Sequence, residues 1–228
     1  MIKKTEPPEA AAAPHREECY TCRRAKQNCL CGSAKPFATR MRFVILMHTK
    51  EAHKQRTGTA RLARLCLTNA ELLIGKDFSN NERVNALLRD PAYSPYVLYP
   101  GPQAVNFKTL GKAPLAEGKT LLVFVVDGTW RGARSLLNKS RNILALPRLS
   151  FAGSYLSQFK IKKQPKEHCV STIEAIYYLY KEAEAAGYEK PNAQAGILMA
   201  IFKEMVDTQL SYEKGKGKRR QTDRRPGS

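Results

Sequence analysis

The stretch that decides the fold is Leu121-Leu-Val-Phe-Val-Val-Asp-Gly-Thr-Trp130. From Leu121 to Val126 it is apolar without a break, the pattern of a strand buried on both faces in the middle of a parallel sheet. It ends on Asp127, Gly128, Thr129 and Trp130, and helical spacing follows from Arg131 to Asn138. An acid, a glycine, a hydroxyl and the chain's one tryptophan therefore stand where a strand hands over to a helix. In open α/β sheets, ligands bind in the crevice at that carboxyl end. Helix amides beginning there attract negative groups. The same residues also suit a plain helix cap beside a core tryptophan.

On either side, apolar runs alternate with helical segments. Arg42 to His48 reads as a first buried strand, and His48-Thr49-Lys50-Glu51 again lies at a strand's carboxyl end. A lone histidine there serves equally as a hydrogen-bonded structural residue or as a catalyst. Thr57 to Leu67 has helical spacing, with Leu62, Leu65 and Cys66 inward and Arg56, Arg61 and Arg64 decorating it. Leu72 to Ile74 and Tyr96 to Tyr99 read as strands, and Ser79-Asn-Asn-Glu82 reads as a capping box. Ser157 to Pro165 alternates apolar and basic residues. As a strand it would place Lys160 and Lys162 on one face, for phosphate contacts or as edge protection. Ser171-Thr-Ile-Glu174 is a second capping box, whose helix buries Ile173, Ile176, Tyr177, Tyr180 and Ala183. A last helix spans Ala193 to Tyr212. Strands alternating with helices predict an α/β fold, a mostly parallel sheet flanked by helices.

The chain has 228 residues and a formal charge of +19, enough length for a core that needs no disulfides. No apolar run is long enough for a membrane span, and no signal-peptide pattern opens the chain, so a cytoplasmic protein with reduced thiols is expected. The charge is uneven: from Arg23 to Arg64 eleven basic residues face one acid, and from Lys214 to Arg225 seven face one. Such an excess points to a polyanion, nucleic acid first. Residues 1–18 read as a disordered leader, 19–36 as a cysteine segment, 37–212 as the main domain and 213–228 as a basic disordered tail.

Cys19, Cys22, Cys29 and Cys31 are spaced C-x2-C-x6-C-x-C. Two close thiol pairs in a reducing compartment suit tetrahedral Zn²⁺, and four protein ligands leave no open position, so the metal would be structural. Free thiols, a disulfide pair or an iron–sulfur cluster are the alternatives.

In this order the segments resemble the DTW-domain family, the tRNA-uridine aminocarboxypropyltransferases. The D-x-T-W motif stands at Asp127 to Trp130, and the upstream cysteines match. His48 to Glu51 resembles H-P-x-E, with Thr49 where proline is usual. Thr59 to Leu67 with Asn69, Tyr99-Pro100-Gly101, Leu146-Pro147, Ser157 to Pro165 and Ser171 to Ala175 resemble other family blocks. The resemblance implies a SPOUT-like core with a C-terminal trefoil knot, preceded by the zinc knuckle. It implies transfer of the 3-amino-3-carboxypropyl group of S-adenosylmethionine to N3 of a tRNA uridine, releasing methylthioadenosine. On that basis Asp127 is expected as the base or as the anchor of the donor's ammonium group. Thr129, Trp130, Leu146, Pro147, Ser171, Thr172 and Glu174 are expected to bind the donor. His48, Glu51, Arg56, Arg61, Arg64, Lys160 and Lys162 are expected to face tRNA, and the chain is expected to be a monomer. A knotted-class RNA methyltransferase and a non-enzymatic zinc-containing RNA-binding protein are the competing readings.

Overall fold

A computed structural model describes residues 17–54, 58–110, 118–159, 161 and 169–222, with backbone only at 53–54 and 213–222. Among these, β1 (Arg42–His48), β2 (Ala70–Gly75), β3 (Tyr93–Leu98), β4 (Thr120–Asp127) and β5 (Arg148–Leu149) form one sheet. The order is β2-β1-β4-β3-β5 and every neighbouring pair is parallel. The helices are α1 (Thr49–Lys54), α2 (Thr59–Cys66), α3 (Glu82–Arg89), α4 (Phe107–Leu110), α5 (Trp130–Lys139), α6 (Arg141–Leu144), α7 (Thr172–Ala185) and α8 (Ile197–Thr222). The parallel α/β architecture read from the sequence is present, with Leu121 to Val126 in the central strand.

Successive strand side chains point to opposite faces, and here they feed two cores. Phe43, Ile45 and Met47 of β1, with Val123 and Val125 of β4, pack against α2, α7 and α8. Val44, Leu46, Leu122 and Phe124 pack against α3 and α5. Each large side chain so enclosed contributes roughly 1.5–3 kcal/mol. Continuing the alternation places Asp127 on the α2 and α7 side of the sheet. It places His48 on the α5 side. This separation governs the site.

Local chemistry explains where the elements differ from the sequence reading. β3 begins at Tyr93 and includes Pro95. That is tolerated because β5 pairs only with Val97 and Leu98, leaving Pro95 without a neighbour on that side. The cap of α3 is Asn81, whose Oδ1 accepts from the Val84 N–H at 3.0 Å. Ser79, expected as the cap, instead donates to the Lys139 carbonyl at 3.0 Å. Ser157 to Phe159 form no strand, because the Gln158 N–H and Ser157 hydroxyl turn to Glu174 at 2.6 and 2.9 Å. Leu179, absent from the expected stripe, is buried on α7. The last helix continues past Tyr212 to Thr222, where a disordered tail was expected. Lysine, arginine and glutamine, which are good helix formers, dominate this stretch despite Gly215 and Gly217, and no proline stands between Tyr212 and Thr222. Among the described residues no helix is long and apolar enough to cross a membrane.

The turn after α7 fastens the opposite, amino-terminal end of the sheet. Glu189 accepts from the Arg40 and Met41 N–H groups at 2.9 and 2.8 Å, and burial pushes its carboxyl pKa up. The Tyr188 hydroxyl accepts from the Leu121 N–H at 2.8 Å, holding the start of β4. Tyr188→Phe leaves that buried N–H unpaired and should cost about 1–3 kcal/mol, read as a lower denaturation midpoint at unchanged slope. At the β2 edge, hydrogen bonds from Arg83 and then Arg42 hold the Glu71 carboxyl down at about 2, against an ordinary 4.5. A depressed folded-state pKa stabilises above the unfolded value and is lost as pH falls. Glu71→Gln should therefore remove part of the acid destabilisation between about pH 4.5 and pH 2, measured by melting temperature against pH.

Candidate active site

Asp127 closes β4 and is half-buried. The Thr172 hydroxyl, at the first position of α7, donates to Asp127 Oδ1 at 2.5 Å. Sequence spacing did not disclose this bond between the central strand's end and a helix start 45 positions along. Glu174 sets the helix start. It is wholly buried and accepts from the Ser171 N–H at 2.7 Å, the carboxylate half of the expected capping box. With Ser157 and Gln158 also bound to it, Glu174 organises the wall of the site from behind. The Ser171 hydroxyl faces the Glu174 N–H, the other half of that box.

Arg61 on α2 interacts electrostatically with Asp127. Burial and the like charge of Arg23 lower its pKa, while Asp127 and Cys22 oppose the shift. A half-buried guanidinium thus lies in the field of the Asp127 carboxylate and of the cysteine segment. Arg64, on the same helix, is exposed. Arg56, Lys160 and Lys162 lie outside the described residues.

His48 and Glu51 act on the loop after β4. The Thr129 N–H donates to Glu51 Oε1 at 3.3 Å, and Thr129 caps α5 by accepting from the Gly132 N–H at 3.2 Å. A Cβ on Gly128 would lie 3.2 Å from the Ala133 nitrogen and 3.6 Å from the His48 Cβ. The first approach is tighter than ordinary contact, so glycine relieves crowding between this loop and the start of α5. His48 Nδ1 itself accepts from the Lys50 N–H at 3.1 Å. The H-T-K-E stretch therefore braces the D-G-T-W loop.

Trp130 is 42% exposed and its ring leans on Tyr99, centroids 6.4 Å apart. Tyr99 in turn lies beneath the Arg148 guanidinium at 5.6 Å. Leu146 packs into the core on the α5 side, and the exposed Pro147 gives its carbonyl to the Val97 N–H at 3.0 Å. Of the residues expected to bind the donor, Thr172, Ser171 and Glu174 thus stand with Asp127, Thr129 caps α5, Trp130 lies beside Tyr99, and Leu146 and Pro147 lie by the α5-side core and β3.

The four cysteines of the amino-terminal segment come together. Their sulfurs all lie within 4.8 Å of one another, with Cys19 to Cys31 at 3.7 Å and Cys22 to Cys29 at 3.8 Å. A tetrahedron with metal–sulfur bonds of about 2.3 Å has edges of about 3.8 Å, so the donor set and spacing fit Zn²⁺. Buried Arg24 ties the turn by donating to the Asn28 carbonyl at 3.0 Å. The segment docks on α8 through Ser33 to Glu204 at 3.0 Å and Tyr212 to Asn28 at 2.9 Å.

The DTW domain model matches residues 16–210. The chain belongs to the DTW-domain family. The DTW chain is 29% identical over 173 residues to tRNA-uridine aminocarboxypropyltransferase 2 of Macaca fascicularis, covering 71% of this chain and 55% of that protein. It is 29% identical over 167 residues to the protein of that name in Mus musculus, covering 71% and 55%. To that of Drosophila melanogaster it is 31% identical over 165 residues, covering 70% and 63%. The DTW chain thus spans little more than half the length of the mammalian relatives. No solved structure matches.

The thiols of this DTW chain differ in acidity. Backbone hydrogen bonds from Cys22 and Thr21 hold Cys19 at about 6, whereas burial pushes Cys22 and Cys31 up. Metal uptake should therefore release protons. One Zn²⁺ per chain is expected by elemental analysis. Cys22→Ser with Cys31→Ser should lose it and weaken hydrogen-exchange protection in α8 around Glu204. A metal-free wild-type chain with full protection there would contradict the assignment.

Proposed function

We propose that this DTW protein transfers the 3-amino-3-carboxypropyl group of S-adenosylmethionine to N3 of a uridine in tRNA, releasing methylthioadenosine, in a cytoplasmic setting that keeps its thiols reduced. The observation that carries this reading is the carboxylate of Asp127 at the mouth of the central strand, oriented by Thr172 at 2.5 Å. Family membership and the names of the relatives support it. The chain's return from the sheet-edge strand β5 to the mouth of β4 through α7 suits the SPOUT-like, knotted arrangement that the family resemblance implies.

The residues fit such a donor. Its amino-acid end carries an ammonium and a carboxylate, and the site offers Asp127 for the first. Arg61 and the amides opening α7 suit the second. Leu146 and Pro147, across the end of β3, would wall the adenosine. When bound, the donor supplies a carbon already activated by its sulfonium. What this chain must supply is orientation, because three carbons flank that sulfur. Holding both charges of the amino-acid arm fixes the longer arm against the RNA base. Uridine N3 carries a proton near neutral pH, so a base must accept it as the new bond forms. Asp127 takes this role as the alternative to holding the ammonium. Glu174, Glu51 and His48 hold the two loops that present Asp127 and Thr172, and structural zinc would hold the amino-terminal segment against α8.

Incubation of unmodified tRNA with the protein and S-adenosylmethionine should add about 101 Da to a uridine, whereas methyl transfer adds about 14 Da. A binding protein would consume no donor. Asp127→Asn should abolish transfer while the protein stays folded. If Asp127 is the base, donor affinity by calorimetry is retained and turnover is lost. If it anchors the ammonium, affinity falls as well. Modification at the wild-type rate by the variant would overturn both roles.

A further inference from the structure

The outer face of α5 carries an open depression of about 570 Å³, lined by Trp130, Arg131, Arg134, Ser135, Asn138 and Lys139. Its volume is in the range of small-ligand sites. Its chemistry, however, is that of a polyanion track. Three cations stand on one side of a helix that has no acidic residue between Trp130 and Lys139. Ser135 and Asn138 add neutral hydrogen-bonding groups. At the upper end of the track is the exposed indole of Trp130. It is the first residue of α5, three positions after Asp127, and it rests on Tyr99 at 6.4 Å. Arg148 covers the other end of that aromatic pair, 5.6 Å from the Tyr99 ring.

The pleat of the sheet gives this face a role of its own. Asp127 continues the Val123 and Val125 side, toward α7. Trp130 pairs with Tyr99, which packs with the Phe124 and Leu136 side. The indole therefore stands beside the loop that carries the carboxylate while its ring opens onto the basic helix. A donor held by Asp127, Thr172 and Arg61 needs none of Arg131, Arg134 or Lys139. Single-stranded nucleic acid needs both features: a π-face on which a base stacks, and cations spaced along a groove that follows the backbone. A protein groove for an apolar partner would not be lined by cations.

We infer that the α5 face is the docking track for the unpaired RNA strand around the target uridine: Trp130 stacks on a flanking base, and Arg131, Arg134 and Lys139 hold the adjoining phosphates. This rests on RNA being the substrate. It moves Trp130 from the donor, where the sequence reading placed it, to the RNA. The side-by-side arrangement explains how one short loop serves both substrates. Its acid faces the donor side and its indole faces the strand, so a base stacked on Trp130 leaves its neighbour over Asp127.

The chain's single tryptophan makes the test site-specific. Emission from Trp130 should fall on titration with unmodified tRNA. It should not change with S-adenosylmethionine alone or with a blunt RNA duplex of equal length. Trp130→Ala should weaken tRNA binding roughly 5- to 100-fold, the range for loss of one base–aromatic stack, with donor affinity retained by calorimetry. Arg131→Ala with Arg134→Ala should reduce the slope of log affinity against log salt by about 1.5–2, the loss of two phosphate contacts. Quenching by the donor alone would overturn the inference. So would a Trp130→Ala protein that binds tRNA normally, or an unchanged salt slope. If RNA binding follows this pattern and no aminocarboxypropyl product forms, the transfer reading fails and the docking track stands.

Discussion

The hydrogen bond from Thr172 to Asp127 is the contact on which the site depends. β4 lies in the middle of a parallel sheet, so its last residue is delivered to a fixed place by two flanking ladders. A carboxylate there would still be free to rotate. The start of α7 removes that freedom with one hydroxyl, and Glu174 removes the freedom of α7 by gripping Ser171, Gln158 and Ser157 from inside the wall. A wholly buried acid is costly unless its oxygens are satisfied. Three donors meet that requirement here, and the result is a rigid rim.

A second bracing set comes from the other direction. β1 lies beside β4 with Met47 opposite Asp127, so the stretch after β1 reaches the loop after β4 without a long excursion. Glu51 holds the Thr129 N–H, and His48 packs against the glycine that lets α5 begin so soon. The cysteine segment is further away in sequence, yet it belongs to the same construction. The cysteine cluster is fastened to the last helix by Ser33 and Asn28, while Arg61 lies in the electrostatic field of both Cys22 and Asp127.

Much of this was legible in the residues. The unbroken apolar run gave the central strand, the alternation of strands and helices gave the sheet class, and the C-x2-C-x6-C-x-C spacing gave a cluster whose sulfurs do meet. Other features depend on which face of a pleat a residue takes, and spacing at a loop does not reveal that. Asp127 and Trp130 are three positions apart, but the first ends a strand with a period of two and the second begins a helix, so spacing alone does not say which way either side chain faces. Glu174 reads as a capping residue and is one, but its burial comes from tertiary packing that no local pattern reports. The basic face of α5 was open to discovery, since Arg131 and Arg134 recur at helical spacing beside the only tryptophan. Ser157 to Phe159 misled because alternation promises a strand only where a neighbouring strand can pair with it, and here a carboxylate took the donors first.

The central claim is that this site fixes the amino-acid arm of the donor, leaving that arm's carbon to react. The by-product tells directly which bond to sulfur was broken. In a single-turnover reaction with unmodified tRNA, methylthioadenosine should appear in step with modified uridine. Formation of S-adenosylhomocysteine instead would mean that the methyl group was transferred, and would contradict the account.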